Sequence, residues 1–376
     1  MRFVVAPDSF KGSLSARKVG QVMEQAIYEE IPQAVVDIVP MADGGEGTVS
    51  SLLFAIGGKW VELETTGPMG DNIRVCYGIL SNDETVVIEV ASIAGLTLVP
   101  EEKQNPFHLT TYGVGECIQD ALDRGYRRFI IGLGGSATND GGLGMLQALG
   151  VTFQDASGKK VPPFAASLSN IHTVDYTTID SRIWEANIRV ARDVENPLCG
   201  PKGASYVFGS QKGATPEQIS KLDHSLAVFA DIVERHLGKT YRHTPGVGAA
   251  GGLGFALLTV GASLEPGAAL VADAVHLEQY LKQADWVITG EGKTDRQTLF
   301  GKVPLYVAKL ANKYKIPTIL VSGSLGEDID QLYSHFDSMH AIPNGAMSLE
   351  QSMNRAEYLL KQKMRNIARL VRLIAD

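Results

Sequence analysis

Acidic side chains recur in or beside glycine-rich turns along this chain of 376 residues. A carboxylate in such a turn can bind Mg²⁺, which takes one or two protein carboxylates and completes its shell with phosphate oxygens and water. The same side chain can instead cap a helix or shape a surface turn. A subset of the following carboxylates is predicted to bind metal: Asp43, Glu46, Asp140, Glu195, Glu291 and Asp295.

The turn at residues 134–142 is the best candidate for an anion-binding loop. Glycines between a strand and a helix direct backbone N–H groups and the positive helix end toward one point, which suits phosphate. The alternative is a close-packed turn that uses glycine for its positive φ. The residues predicted to bind substrate or phosphate, here and in similar turns, are Asp8, Ser9, Gly134, Gly135, Ser136, Thr138, Asn139, Gly251, Gly252, Gly290 and Gly292.

Three residues are predicted to act in catalysis. Asp193 follows the apolar segment 188–191, and we predict that it is a general base or a metal ligand. Lys11 and Lys293 lie in loops that also carry carboxylates, where a cation can neutralise a phosphate or a substrate carboxylate. The alternatives are a turn-forming aspartate and two solvated lysines.

Several familiar sites are excluded by their spacing. The GKT sequence at Gly292–Thr294 lacks the glycine that a P-loop needs five positions earlier, where Val287 stands. The GxGxxG sequence at 246–251 follows no strand, so a dinucleotide site is not supported. No HExxH motif or serine-hydrolase arrangement accompanies the 8 histidines, and the 3 cysteines form no CxxC pair.

Alternating strands and helices are predicted to position these turns. Arg2–Ala6 has the pattern of a buried strand, and Val35–Val39 is predicted to form a second strand. Ser15–Ile31 places its apolar residues on one helical face. The alternation resumes at Asp285–Thr289 and ends in a long helix from about Leu349. This order predicts an α/β fold with a parallel, doubly wound sheet, in which ligands bind at the carboxyl ends of strands.

The pattern changes near residue 66. Ile73–Leu80 and Thr85–Ala91 are predicted to form a β-hairpin around residues 81–84. We therefore predict that residues 1–65 and 286–376 form one domain with a single sheet, and that an inserted domain of residues 66–285 interrupts it. The active site is expected in the cleft between the two.

Composition favours a soluble, cytoplasmic protein. A formal net charge of −8 gives no overall attraction to nucleic acid, and the first residues do not form a signal peptide. The uncharged segment Thr244–Leu264 is long enough to cross a bilayer, but its glycines disfavour a membrane helix. The apolar stripe of the C-terminal helix fits a helix that covers a sheet, so no membrane partner is expected.

Six motifs in order along the chain resemble the bacterial glycerate kinases of the type with an inserted domain. The motifs are Ala6–Ala16, Ala42–Thr48, Gly134–Gly142, Asp193–Leu198, Gly248–Gly254 and Thr289–Gly292 together with Asp295, Gly301 and Lys302. The resemblance implies ATP-dependent phosphorylation of D-glycerate, with 2-phosphoglycerate as the expected product. It also implies that the domain of residues 1–65 and 286–376 is Rossmann-like and that the inserted domain is an α/β domain.

The sequence alone leaves other functions open. A glycerate 3-kinase would give 3-phosphoglycerate, and a non-catalytic sugar-acid binding protein would need the glycine loops and lysines but not the metal carboxylates. Hydride transfer with NAD would require the dinucleotide fingerprint that the chain lacks. The sequence leaves the oligomeric state open, a homodimer included.

Overall fold

The computed structural model describes residues 1–81 and 84–375, and the chain divides into two compact units. The first unit comprises Met1–Asp43, Ser50–Gly57 and the residues from Ala268 onward. The second unit comprises Gly44–Val49 and Gly58–Gly267. The domain boundaries drawn from the sequence, near residues 66 and 285, stay a prediction.

Strands and helices alternate through both units. The strands are β1 Arg2–Val5, β2 Val35–Ile38, β3 Gly58–Thr66, β4 Asn72–Leu80, β5 Val86–Glu89, β6 Arg128–Gly132, β7 Thr152–Gln154, β8 Thr173–Asp175, β9 Asn187–Arg192, β10 Ser263–Pro266, β11 Trp286–Thr289, β12 Lys293–Thr294, β13 Thr318–Ser322, β14 Ser324–Leu325 and β15 Ser338–Ala341. The α-helices are α1 Ala16–Glu30, α2 Thr48–Ile56, α3 Ala91–Ala94, α4 Tyr112–Asp123, α5 Leu143–Ala148, α6 Ala204–Phe208, α7 Pro216–Leu237, α8 Ala249–Thr259, α9 Gly267–Ala274, α10 Leu277–Leu281, α11 Val303–Lys313, α12 Leu349–Asn354 and α13 Ala356–Ala375.

The first unit contains a parallel sheet of 5 strands in the order β15-β13-β11-β1-β2. Strand β1 lies between its successor β2 and the later strand β11, so the order reverses direction at β1. In open α/β sheets, ligands bind at the carboxyl ends of the strands beside such a reversal. The topology therefore singles out the loops that follow β1 and β11.

Both faces of this sheet are covered by helices. Along β13 the side chains alternate: Ile319 and Val321 pack in the core that contains α1 and α13, whereas Leu320 packs with Leu305 and Ala308 of α11. The mixed α/β architecture with a parallel sheet predicted from strand and helix alternation is confirmed.

The second unit contains a mixed sheet of 6 strands in the order β10-β9-β6-β5-β4-β3. Strands β5, β6, β9 and β10 are parallel, and β4 runs antiparallel to both β3 and β5. The predicted hairpin of β4 and β5 is confirmed, although residues 82 and 83 of its turn lie outside the described residues. Strand β3, which falls within the range predicted for the first domain, pairs with β4 over its whole length.

The prediction of one long C-terminal helix is wrong in one respect, because two helices occupy that segment. Ser348 caps α12 by accepting a hydrogen bond from the Gln351 backbone N–H, and Arg355 separates α12 from α13. The stripe expected on this helix is buried at Leu360 and Met364 of α13. Among the described residues, no helix is long and apolar enough to cross a membrane.

An arginine cluster on α13 holds the carboxylate of Glu30, the last residue of α1. Arg365 and Arg369 each donate through Nε to one Glu30 carboxylate oxygen, at 2.8 and 2.7 Å. Arg372 donates to the Glu30 backbone carbonyl at 2.9 Å. Hydrogen bonds from Arg369 and Arg365 lower the pKa of Glu30 from 4.5 to about 2. This pairing fastens the C-terminal helix to α1.

We expect Glu30→Gln to lower the thermal midpoint near neutral pH. Because the folded-state pKa lies below the unfolded value, the ionised carboxylate stabilises the fold above about pH 4.5, and this contribution disappears as the pH falls toward 2. Thermal melts across this range should show the difference from wild type narrowing as the pH falls. Glu357→Gln is the control, since Glu357 pairs with Lys18 at the surface and should change little. An equal deficit at pH 7 and pH 3 would contradict the assignment.

Candidate active site

Three loops of the first unit bring carboxylates to the edge of the sheet where its strand order reverses. Asp8 follows β1, Asp43 follows β2 and Glu291 follows β11, and these strands are neighbours. All three side chains are buried and line a cavity of about 650 Å³. The predicted substrate residues Ser9 and Gly292 line the same cavity.

Like charges and burial make this cavity receptive to a cation. Burial and the negative charge of Asp43 raise the pKa of Asp8 to about 7, although a hydrogen bond from the Ser9 backbone N–H at 2.6 Å favours the ionised form. Burial also raises the pKa of Glu291. Carboxylates perturbed in this way are stabilised when a positive charge arrives between them.

Glu291 is fixed on one side by hydroxyl groups. Its Oε1 accepts hydrogen bonds from Thr298 at 2.6 Å and from Thr294 at 3.0 Å. Its Oε2 lies 3.9 Å from the ammonium group of Lys302. Thr294 and Thr298 therefore orient the carboxylate, while Oε2 stays beside a lysine that lines the cavity.

Lysines supply positive charge around the carboxylates. Lys11 Nζ lies 3.6 Å from Asp43 Oδ2, and the Lys11 side chain is 65% exposed. Lys293 also lines the cavity, as does Lys302, which follows the glycine-terminated 3₁₀ segment Arg296–Phe300. The sequence motif included Lys302, but no role was predicted for it. Exposed ammonium groups around buried carboxylates can bind the oxygens of a phosphate chain.

An apolar wall completes the cavity. It is formed by the segment between β15 and α13, where Ile342, Pro343, Met347, Leu349 and Met353 line the space. Leu349 is 75% exposed, which is unusual for a large aliphatic side chain. The cavity thus has carboxylates and lysines in one part and aliphatic side chains in another.

The second unit has a smaller cavity at the ends of two adjacent parallel strands. Gly132 of β6 pairs with Ala191 of β9, so the turn after β6 and Asp193 after β9 emerge side by side. This cavity has a volume of about 140 Å³. Its lining includes four residues that the sequence predicted to act in binding or catalysis: Gly134, Gly135, Ser136 and Asp193. Asp193 is exposed.

Sequence reasoning missed Lys212, which lines this second cavity. Its Nζ donates hydrogen bonds to Ser136 Oγ at 3.1 Å and to the Thr138 carbonyl at 2.8 Å. Lys212 ends a 3₁₀ segment and precedes Gly213, whose φ of 88° closes the turn. The only sequence signal was a lysine in a glycine-flanked turn, Gly209 to Gly213, which follows no strand.

Four other residues predicted to bind substrate or phosphate are packed rather than open: Thr138 and Asn139 of the 134–142 turn, and Gly251 and Gly252 of a similar turn. A Cβ on Gly251 would lie 2.0 Å from the Thr138 carbonyl oxygen, and Gly252 would contact Gly141, so these glycines permit close backbone approach. Thr138 Oγ1 and Asn139 Oδ1 are buried without a hydrogen-bond partner among the residues that the structure describes. Neither cavity is lined by these four predicted residues, Thr138, Asn139, Gly251 and Gly252.

Asp140 is completely enclosed by donors. Its carboxylate accepts hydrogen bonds from the Thr111 N–H and hydroxyl at 2.9 and 2.7 Å, and from the backbone N–H groups of Gly142 and Gly144 at 3.1 and 3.2 Å. These bonds join the start of α4 to the start of α5. Asp140 thus stabilises the packing of these two helix starts. Its role as a metal ligand stays a prediction.

Two of the predicted metal carboxylates lie at the surface. Glu46 is exposed. The Glu195 side chain is 81% exposed, and its Oε1 lies 3.6 Å from Arg192 Nη1. Neither residue lines the cavities described above. Their assignment as ligands stays a prediction.

Asp295 and Gly290 stabilise the local structure beside the first cavity. Asp295 caps the following 3₁₀ segment, accepting from the Gln297 backbone N–H at 2.8 Å, and lies 3.2 Å from Lys293 Nζ. A Cβ on Gly290 would lie 2.0 Å from the Val321 carbonyl oxygen, so glycine permits close packing of β11 against β13. Neither Asp295 nor Gly290 is among the lining residues.

Comparison with known proteins decides the family. The model of the glycerate kinase family matches residues 3–372. The chain belongs to the glycerate kinase family. A Bacillus subtilis (strain 168) protein named glycerate kinase is 46% identical over 375 residues, which are 99% of this chain and 98% of that protein. An Escherichia coli (strain K12) protein named glycerate 2-kinase is 42% identical, covering 98% of this chain and 97% of that protein.

The fold is shared with a solved structure. A crystal structure of a Salmonella typhimurium LT2 protein, assigned provisionally as glycerate kinase 2, matches with a TM-score of 0.89 and 42% identity. The match covers 99% of this chain and 98% of that one. The resemblance drawn from the six sequence motifs is confirmed, and the chain is an enzyme of the kinase class.

The residues of this glycerate kinase family member fit a magnesium ion that is shared with phosphate oxygens. Within residues 1–81 and 84–375, no group of three or more His, Cys, Asp or Glu side chains is arranged to hold a metal ion by itself. Mg²⁺ does not need such a cage, since one or two carboxylates suffice when phosphates and water complete the shell. Asp8, Asp43 and Glu291 provide hard oxygen donors of this kind in one cavity.

Proposed function

We propose that this protein transfers the γ-phosphoryl group of ATP to D-glycerate and forms 2-phosphoglycerate and ADP. Family membership supports the reaction class, and the relative named glycerate 2-kinase supports the choice of product. The observation that carries the proposal is the first-unit cavity, in which buried carboxylates, lysines and an apolar wall line one space.

The cavity suits a nucleoside triphosphate in size and chemistry. Its volume of about 650 Å³ lies within the roughly 300–1,000 Å³ that is usual for ligands of drug-like size. The aliphatic side chains of the 342–353 segment offer a surface for a purine base, which is largely apolar on its faces. The lysines at the other part of the cavity offer donors to phosphate oxygens.

The carboxylates have a separate task in this proposal. Asp43 and Glu291 would hold Mg²⁺, with Asp8 as a neighbouring acceptor, and Lys11 and Lys302 would bind phosphate oxygens. Mg²⁺ held there would supply positive charge against the negative charge that develops during phosphoryl transfer. Positioning and charge stabilisation of this type are most of what phosphoryl transfer requires from a protein.

A base is also needed for the hydroxyl that receives the phosphoryl group. Asp193 is the proposed base, because it lines the second cavity and follows the end of the parallel strand β9. The Asp193 side chain is exposed. A carboxylate within hydrogen-bond reach of the hydroxyl can accept its proton as the new O–P bond forms.

We expect ADP release to depend on both D-glycerate and a divalent metal. A coupled assay with MgATP and a set of short hydroxy acids should give turnover with D-glycerate, and excess EDTA should abolish it until Mg²⁺ is restored. Full turnover in excess EDTA would contradict the metal part of the proposal. Binding of D-glycerate with no ADP release would favour a sugar-acid binding protein instead.

The phosphorylated hydroxyl is expected to be the one on carbon 2. Phosphorus–proton coupling in NMR spectra of the product identifies the carbon that bears the phosphate. Coupling of phosphorus to the single C2 proton gives 2-phosphoglycerate, whereas coupling to the C3 methylene protons gives 3-phosphoglycerate. The second pattern would replace the proposed product and leave the kinase reaction in place.

A further inference from the structure

The ammonium group of Lys212 is buried and donates hydrogen bonds only to uncharged groups among the described residues. Lys212 is 3% exposed, and its two acceptors, Ser136 Oγ and the Thr138 carbonyl, are both uncharged. No carboxylate within the described part of the chain forms an ion pair with it. A lysine ammonium has three N–H donors, so two acceptors leave one donor available.

A buried charge that forms no ion pair is costly, which makes this lysine unusual. Burying an ion without a partner is strongly unfavourable, and an apolar side chain of similar volume is often at least as stable. Burial lowers the pKa of Lys212 to about 8, while the charge of Asp140 raises it, so the ammonium form still predominates at neutral pH. The charge of Asp140 thus favours the ammonium form, and the ammonium group keeps one N–H donor for an anionic ligand.

The space beside Lys212 is small and carries two kinds of polar group. The cavity of about 140 Å³ is well below the roughly 300–1,000 Å³ of pockets for larger ligands. It is lined by the cation Lys212, by the turn Gly134–Ser136 and by the carboxylate of Asp193, with Leu96 and Phe208 as apolar neighbours. A short acid with a neighbouring hydroxyl has the matching groups.

We propose that this cavity binds the acceptor substrate, with Lys212 pairing with its carboxylate and Asp193 accepting a hydrogen bond from its hydroxyl. The inference rests on the proposed function, because it identifies the ligand as D-glycerate or a similar short 2-hydroxy acid. In a 2-hydroxy acid the carboxylate and the C2 hydroxyl are on adjacent carbons, so one small cavity can hold both. Lys212 is then a substrate-binding residue that selects for the acid group.

The test compares Lys212→Met with wild type in two measurements. Calorimetry with D-glycerate and no nucleotide should show that the dissociation constant for D-glycerate rises by about 10²-fold or more. A loss of this size is usual when one partner of a buried charge pair is removed. Steady-state assays should show KM for D-glycerate raised to a similar extent and KM for ATP unchanged. Lys221→Met is the control, because Lys221 is exposed on α7 of the same unit and should match wild type.

Lys212→Gln provides a second variant in case the methionine protein does not fold. Its amide NH₂ can still donate to Ser136 and Thr138, but it carries no charge, so the same loss of D-glycerate affinity is expected. Unchanged affinity and KM for D-glycerate in a folded variant would overturn the inference and leave the kinase reaction standing. A rise in KM for ATP alone would overturn it too, because the anion would then be phosphate. Wild-type protein that neither binds nor phosphorylates D-glycerate would overturn the proposed function itself.

Discussion

Replacing Asp43 by asparagine is expected to lower kcat/KM for MgATP by about 10²- to 10³-fold, which is the usual cost of one group that stabilises transition-state charge. The asparagine side chain keeps the size and shape of aspartate while removing its charge. Because Asp43 is proposed as a metal ligand, the Mg²⁺ concentration that gives half-maximal rate should rise as well. Rate measurements at a series of Mg²⁺ concentrations check both effects.

Glu46→Gln is the matched control for Asp43→Asn. Both residues belong to the same glycine-rich turn, but Asp43 lines the first cavity, whereas Glu46 is exposed and does not. The control should therefore have nearly the activity and the Mg²⁺ dependence of wild type. If Asp43→Asn is folded and active while Glu46→Gln is impaired, the proposed metal site is in the wrong place.

The loops of the first cavity could be predicted because each follows a short apolar strand. Strands β1 and β11 consist mainly of apolar and β-branched residues, and both end just before a carboxylate-bearing loop, at Asp8 and Glu291. Strand and helix alternation implies a parallel sheet, and a parallel sheet brings such loops to one edge. The local pattern therefore contained enough information to group these residues.

Lys212 could not be predicted in this way because its surroundings are created by distant residues. Its acceptors in Ser136 and Thr138 are 76 and 74 residues away in sequence. A lysine in a glycine-flanked turn is by default solvated, and only the packed structure shows that this one is buried. The apolar wall of the first cavity was missed for a similar reason, since the residues before Leu349 have no periodic pattern.

Strand β3 was missed because it lies at the edge of its sheet. It carries Lys59, Glu62 and Glu64 among its 9 residues, and most of its side chains are at least partly exposed. An edge strand of this kind lacks the apolar run that marks a buried strand. The break at Arg355 was missed because the apolar stripe of the C-terminal segment continues on both sides of it.

Asp193→Asn is expected to lower kcat by about 10²-fold or more, as loss of acid–base catalysis typically does. Asparagine preserves the volume at the end of β9 but cannot accept the hydroxyl proton. The fold should be unaffected, because Asp193 is exposed and follows the end of β9. Circular dichroism and a thermal melt establish that the variant is folded before its rate is measured.

Glu195→Gln separates the chemistry of Asp193 from a general loss of negative charge near the turn. Glu195 is two residues further along the same turn, its side chain is 81% exposed, and it lines neither cavity. It should therefore retain near-native kcat, while Asp193→Asn should lose activity with D-glycerate binding largely preserved. A folded Asp193→Asn enzyme with near-native turnover would show that the proton is accepted elsewhere. Asp8 would then be the next carboxylate to test, because it is buried and lines the first cavity.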